Sequence, residues 1–268
     1  MEETNSMLEL SSGVSMPPRL ALAHGIVESA AATALHSFTH RRDVSMRTKQ
    51  PQDFVSAVDE TVERYIREQL SRTHPGEPVY GEEFGDGERA SGALAESTWV
   101  VDPIDGTTNF LRGIPLWGVS LGFISEGRAT MGVIAMPALG LIVGAQRGAG
   151  LFVNGLPATR ETAFDAVRVV SVGDAHSDID RAAATTIALR RAGWVVESYR
   201  STATAMAFAA IGYLDGHMQH SVKIWDMAGG LALCEEAGLL ARHAPLSDCD
   251  GFVMVGTPEV MEVIEPLT

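Results

Sequence analysis

Apolar residues fall into three textures along the chain. From Leu20 to about Phe38, the positions Leu20, Ile26, Ala30, Ala31, Leu35 and Phe38 recur in rough helical phase within an alanine-rich run, predicting a first helix. Asp59-Glu60 opens a second helix carried by Val62, Tyr65, Ile66 and Leu70, which ends near Thr73-His74-Pro75-Gly76. "VYGEEFGDGE" (79–88) reads as a short strand entering an acidic, glycine-rich turn. Between Trp99 and Gly150 the pattern becomes strand-like: "STWVVD", "WGVSLGFISEG", "ATMGVIAMP" and "GLIVGAQRG", closed by a hairpin "GAGLFVNG". Beyond residue 165 strands and helices alternate: strand "VRVVSV", helix 180–192, strand "WVVESY", helix 203–212, a strand around 216–222, helix 226–237, strand "GFVMVG" and a terminal helix. This order predicts a layered α/β design. Residues 1–19 are expected to form a flexible extension. Residues 20–268 are expected to form one domain, with a large antiparallel sheet in 20–165 and an α/β half in 166–268.

Composition narrows the partners. With 46% hydrophobic residues in 268, there is ample material for a core, while a net charge of −14 argues against nucleic acid or an anionic membrane. A phosphorylated small molecule stays compatible if cations reverse the local sign. Cys234 and Cys249 are the only cysteines, no secretory signal is evident, and no apolar run reaches the roughly 18 residues of a membrane helix. A reducing, cytoplasmic setting is the expectation.

The candidate chemistry lies in acids at element ends: Asp59, Glu82, Glu83, Asp102, Asp105 and Asp226. Each has an ordinary explanation, since Asp59 and Asp226 would serve as helix N-caps and Glu82-Glu83 as a solvated turn. Together they say more. Asp102 follows the apolar "WVV", and only Pro103-Ile104 separates it from Asp105, so both carboxylates can face one cleft. Clustered carboxylates are costly unless cations hold them, and hard oxygen ligands without Cys or His suit magnesium. Gly106-Thr107-Thr108 adds backbone N–H groups at a helix start, where a phosphate would bind. The chemistry implied is metal-assisted attack of water on a phosphate ester.

"DPIDGTTNF" (102–110), "KIWDMAGG" (223–230) and "GEEF" (81–84) together resemble the inositol monophosphatase family. The resemblance covers about residues 20–265, including "PQDFVSAVD", "GAGLFVNG" and "EEAG". It implies an alternating αβαβα sandwich, usually a homodimer, that hydrolyses small phosphomonoesters with two to three magnesium ions and is inhibited by lithium. By position, Glu82, Asp102 and the Ile104 carbonyl would hold one ion and Asp102, Asp105 and Asp226 a second, with Glu82 helping to hold a third. Asp59 and Thr107 match the pair that orients the attacking water, and Gly106, Thr107 and Thr108 would receive the phosphate. Inositol 1-phosphate is the first substrate this implies.

Substrate-facing positions depart from the family pattern. Gln219 stands where an acid receives ring hydroxyls, and Arg200-Ser201 lies in a turn where small residues are common. Lys223 in "KIWD" would suit a second anionic group, or is simply a surface lysine. "GEEFG" and "RGIPLW" also resemble the histidinol-phosphate phosphatase branch, but Gln219 offers no charge for an amine. A regulatory protein-binding role is the non-enzymatic alternative. His36 and His40 are expected to be helix-end polar residues, Met206, Phe208 and Trp194 packing residues, and Trp225 a packing partner beneath Asp226. His217 and His220, flanking Gln219, would line the pocket rim or serve structurally.

Overall fold

The run Trp99-Val100-Val101 is apolar throughout because both faces of its strand are covered. A computed structural model describes residues 15–41, 45–50, 53–85, 96–162, 164, 166–173, 179–246 and 250–267. Helix α1 (Pro18–Thr39) begins on a proline, whose missing N–H is no loss in a first turn. Most of the expected N-terminal extension, and Cys249, lie outside the described residues. Strands β1 (Met46–Gln50) and β2 (Asp53–Ser56) form an antiparallel pair ahead of helix α2 (Ala57–Thr73). That pair was not legible in "MRTKQPQDFVS", which lacks an alternating apolar face.

Among the described residues the large sheet runs β3 (Val79–Gly81), β4 (Ser97–Asp105), β5 (Gly118–Ser125), β6 (Arg128–Met136), β7 (Leu141–Gln146), β8 (Gly150–Val153) and β9 (Leu156–Ala158) in that order. Its strand pairs are antiparallel except at one edge, where β3 lies parallel to β4. The connection over 82–96 is long enough for the crossover that parallel pairing demands. The second sheet contains β10 (Val169–Val172), β11 (Val195–Glu197), β12 (Gly216–Lys223), β13 (Leu240–His243) and β14 (Asp250–Gly256), ordered β11-β10-β12-β14-β13. Helices α4 (Ile179–Arg191), α5 (Thr202–Ile211), α6 (Ile224–Glu236) and α7 (Pro258–Ile264) complete the order.

Side-chain alternation assigns the layers. Trp99, Val101, Leu121 and Val133 face α1 and α2, burying Leu20, Val27, Val62 and Ile66. Val100, Ile134 and Met136 face the other way, onto Met206 of α5 and Met227 and Leu231 of α6, and the same two helices cover Val253 and Val255 of the small sheet. Val170, Met218 and Met254 pack outward on Leu189, Val260 and Ile264 of α4 and α7. The result is the expected helix–sheet–helix–sheet–helix sandwich.

Helix α6 lies unusually close to the large sheet. A Cβ on Gly132 would sit 2.0 Å from the Gly229 carbonyl oxygen, and one on Gly122 would sit 2.8 Å from the Gly229 nitrogen. Backbone therefore meets backbone there, which only glycine permits. This contact seats the N-terminus of α6 against the end of β4.

Candidate active site

Residues three apart on a regular strand point to opposite faces, so Asp102 and Asp105 can share the expected cleft only if the strand is irregular between them. They do because β4 is bulged between them. Asp102 pairs with Ser120 and Asp105 with Gly118, so three steps on β4 oppose two on β5. Pro103, which lacks an N–H for the ladder, sits inside that irregularity, and the extra residue re-aims the next side chain. The Ile104 amide donates to Asp102 Oδ1 at 3.0 Å and holds one carboxylate oxygen of the pair.

Asp226 arrives from α6. It is the third helical residue rather than the N-cap, and its Oδ2 accepts the Lys223 amide at 3.1 Å. Carboxylate oxygens of Asp102, Asp105 and Asp226 lie within 4.8 Å of one another. Asp105 is held by α5: its Oδ2 accepts the Ser201 hydroxyl at 2.5 Å and the Ala203 amide at 2.7 Å. Ser201 is thus the N-cap of α5 and an orienting partner of Asp105.

Gly106 follows at φ +88°, and a Cβ there would meet Leu116 O and Ser201 Cβ at 3.1 Å each. It begins the short helix α3 (Thr107–Arg112), whose first turn contains the Thr107 and Thr108 amides. The Thr107 hydroxyl lies 3.0 Å from the Ile104 carbonyl oxygen and 3.4 Å from Asp59 Oδ1. Asp59 is fully buried on α2, again as a third helical residue in a capping box with Ser56, which donates through its amide at 3.1 Å and its hydroxyl at 2.5 Å. Neither Asp59 nor Asp226 is itself an N-cap: each lies three residues further on, inside its helix, where its carboxylate accepts the backbone amide of the N-cap residue, Ser56 or Lys223.

Glu82 lies in the turn after β3, outside the trio of close carboxylates, with its amide on Val101 O at 3.2 Å. Its charge nevertheless acts on Asp102, which burial first, then Glu82, Asp105 and Asp226 in turn, push well above the usual carboxylate range. Burial raises Asp105 to about 6 against the hydrogen bonds from Ser201 and Ala203. Asp226 rises to about 7 from burial and the Asp105 charge. Asp59 rises to about 6, again from burial, with a contribution from Glu83. A set of converging carboxylates made this reluctant to ionise is matched to a hard divalent cation, whose charge would favour their ionised forms. The donor set, all oxygen, fits magnesium.

A family model described as "Inositol monophosphatase family" matches residues 16–260. The chain belongs to the inositol monophosphatase family. It is a phosphoric monoester hydrolase, as members of that family are. An inositol-1-monophosphatase of Rhizobium meliloti is 33% identical over 82% of this chain and 84% of its own length. A histidinol-phosphatase of Chlorobaculum parvum is 38% identical over 53% of each. The crystal structure of extragenic suppressor protein suhB from Bartonella henselae superposes with a TM-score of 0.80, covering 94% of this chain and 99% of that one at 24% identity, which speaks for the fold.

Around this phosphatase site the other expected residues divide. Arg200 is exposed in the turn before α5 at φ +56°, a left-handed conformation uncommon for a side-chain-bearing residue. Gln219 is half-buried and turned to its neighbours, accepting the Thr202 hydroxyl at 2.7 Å and donating to Ser221 O at 2.9 Å. His217 and His220 do not form a rim. They are 1% and 8% exposed and alternate to opposite faces of β12, with His220 Nε2 2.7 Å from Thr185 Oγ1. Trp225 packs against Tyr80, ring centres 5.8 Å apart. Sequence reasoning missed Ser56 and Ala203 as partners of the site. Ser56, three residues before Asp59, was the available signal for a capping box.

Proposed function

We propose that this chain hydrolyses inositol 1-phosphate with magnesium, and the observation that carries the reading is the juxtaposition of the Asp102–Asp105–Asp226 trio with the Thr107–Asp59 pair. Glu82, Asp102, Asp105, Asp226 and the Ile104 carbonyl would hold two to three magnesium ions, which when bound supply positive charge and make water a better nucleophile near neutral pH. The chain's own residues do the rest. The Thr107 hydroxyl has one proton and two acceptors in reach. Donating it to Asp59 leaves the hydroxyl oxygen as an acceptor that orients a water. Asp59, held near 6 by burial, is matched to take a proton around neutral pH. The Gly106, Thr107 and Thr108 amides, at the start of α3, would receive phosphate oxygens as their charge grows. Gln219, Ser201 and Arg200 would meet the leaving alcohol.

The reading extends to one phosphatase unit over residues 20–268, a homodimer in the cytoplasm, and inhibition by lithium; family membership is the support for these. No helix among the described residues is long and apolar enough to cross a membrane. Histidinol phosphate is the second reading, favoured by the relative of that name and opposed by the uncharged Gln219. The test is a panel of inositol 1-phosphate, histidinol phosphate, sugar phosphates and adenosine bisphosphate assayed with and without magnesium. Asp105→Asn is expected to lose turnover by about a thousandfold or more, from the charge it removes at the reacting centre. A large preference for histidinol phosphate would overturn the substrate, and wild-type turnover in Asp105→Asn would overturn the site.

A further inference from the structure

Beneath the Glu82 turn lies a buried carboxylate, paired with a half-buried arginine, to which the catalytic reading gives no role. Glu63, one helical turn after Asp59 on α2, is 0% exposed. Its Oε2 accepts the Glu83 amide at 2.8 Å, and its Oε1 accepts the Phe84 amide at 3.3 Å and Arg67 Nε at 2.8 Å. Arg67 in turn donates to the Val79 carbonyl at 2.9 Å and to the Gly85 carbonyl. The turn is closed on itself by two hydrogen bonds of 2.9 Å between Gly81 and Gly85. Gly81 leaves the space this requires, since a Cβ there would sit 2.1 Å from Glu63 Oε1. A buried carboxylate is costly unless it is paired and its lone pairs are filled. Here they are filled by the two backbone amides that follow Glu82, which fixes where the Glu82 side chain leaves the chain.

We propose that Glu63, clamped by Arg67, is a positioning residue: it fixes the 82–85 turn so that the Glu82 carboxylate is presented toward Asp102, and it thereby sets the affinity of the site for a divalent cation. One face of α2 thus serves the site twice, through Asp59 to Thr107 and through Glu63 to the Glu82 turn. The inference rests on the reading of Glu82 as a metal ligand. Residues that orient ligands without touching the metal are worth about 10- to 100-fold in affinity, and that is the size expected here.

The test is direct titration of the purified full chain with magnesium alone by calorimetry, alongside the magnesium concentration for half-maximal turnover. Glu63→Gln preserves volume and removes the charge. It should weaken magnesium binding by about 10- to 100-fold, while turnover at saturating magnesium stays within a few-fold of wild type. Combining it with Glu82→Gln should cost no more than Glu82→Gln alone, because Glu63 acts through Glu82. Unchanged magnesium affinity in Glu63→Gln, or losses that multiply in the double variant, would overturn the proposal. If Glu82→Gln itself leaves the affinity unchanged, the ligand assignment of Glu82 falls, and this inference with it. Gly81→Ala provides a variant with Glu63 chemically intact. Its methyl group displaces the Glu63 carboxylate, so magnesium binding should weaken in the same direction, and wild-type affinity there also refutes the proposal.

Discussion

Gly132→Ala tests whether the α6–sheet contact positions the metal ligands. The added Cβ would lie 2.0 Å from the Gly229 carbonyl oxygen, 2.8 Å from its carbonyl carbon and 3.0 Å from its Cα. All three are backbone atoms, so no rotamer change relieves the clash, and α6 must retreat by about 1 Å or more to restore ordinary contact. Overpacking of this kind costs about 3 kcal/mol, at the upper end of the usual range, because a whole helix has to move. Asp226 lies on the same helix, three residues before Gly229, so the retreat carries it away from Asp102. A misplacement of about 1 Å at a reacting centre costs on the order of a hundredfold in rate. Gly144→Ala is the control: it lies on the adjacent strand, and its Cβ would meet Leu20 Cδ1 at an ordinary 3.5 Å. That change should be neutral or stabilising by up to about 1 kcal/mol. Urea denaturation and magnesium-dependent turnover of both variants make the comparison. Equal midpoints and equal rates for the two alanine variants would refute the claim that backbone contact seats Asp226.

Three further outcomes follow from the site. Thr107→Ala should lower turnover by about a hundredfold while magnesium binding by calorimetry is unchanged, and a matching loss of magnesium affinity would count against a water-orienting role. Asp59 and Asp105 at about 6 and Asp226 at about 7 stand above the ordinary aspartate value of 3.8, so their contribution to the stability of the metal-free protein is complete below that value and is lost as pH rises from there through 6 to 7. Magnesium should therefore raise the melting temperature more at pH 8 than at pH 5, and an equal rise at both would refute the electrostatic account. His217 is buried and held neutral, its pKa lowered to about 4 by desolvation, so its contribution is complete above its unfolded value and is lost as pH falls toward 4. About 3 kcal/mol is at stake over that interval, and His217→Gln should flatten the acid limb of the stability profile relative to wild type.

Much of this molecule is written in local pattern. The helices around Ile26, Ile66 and Leu231 and the strands around Val101, Val133 and Val253 were legible because buried faces impose periods of 3.6 and 2, and those periods survive in one dimension. The acids were legible because carboxylates at element ends with adjacent glycine and threonine have few economical uses other than binding cations and phosphate. Other features were decided by three-dimensional structure. The parallel placement of β3 depends on a crossover and not on its own residues. The burial of His217 and His220 on opposite faces of β12 depends on helices packed on both sides of that strand. Nothing local in the sequence singles out Glu63; the turn folded over it and the neighbouring Arg67 make it a buried, paired carboxylate. Most telling is the bulge at Pro103-Ile104. A regular strand would place Asp102 and Asp105 on opposite sides, and the bulged pairing with β5 turns them to one side. The sequence determined which residues carry the chemistry; the tertiary structure decided that their charges meet, because strand register and helix seating are properties of contacts between segments distant in the chain.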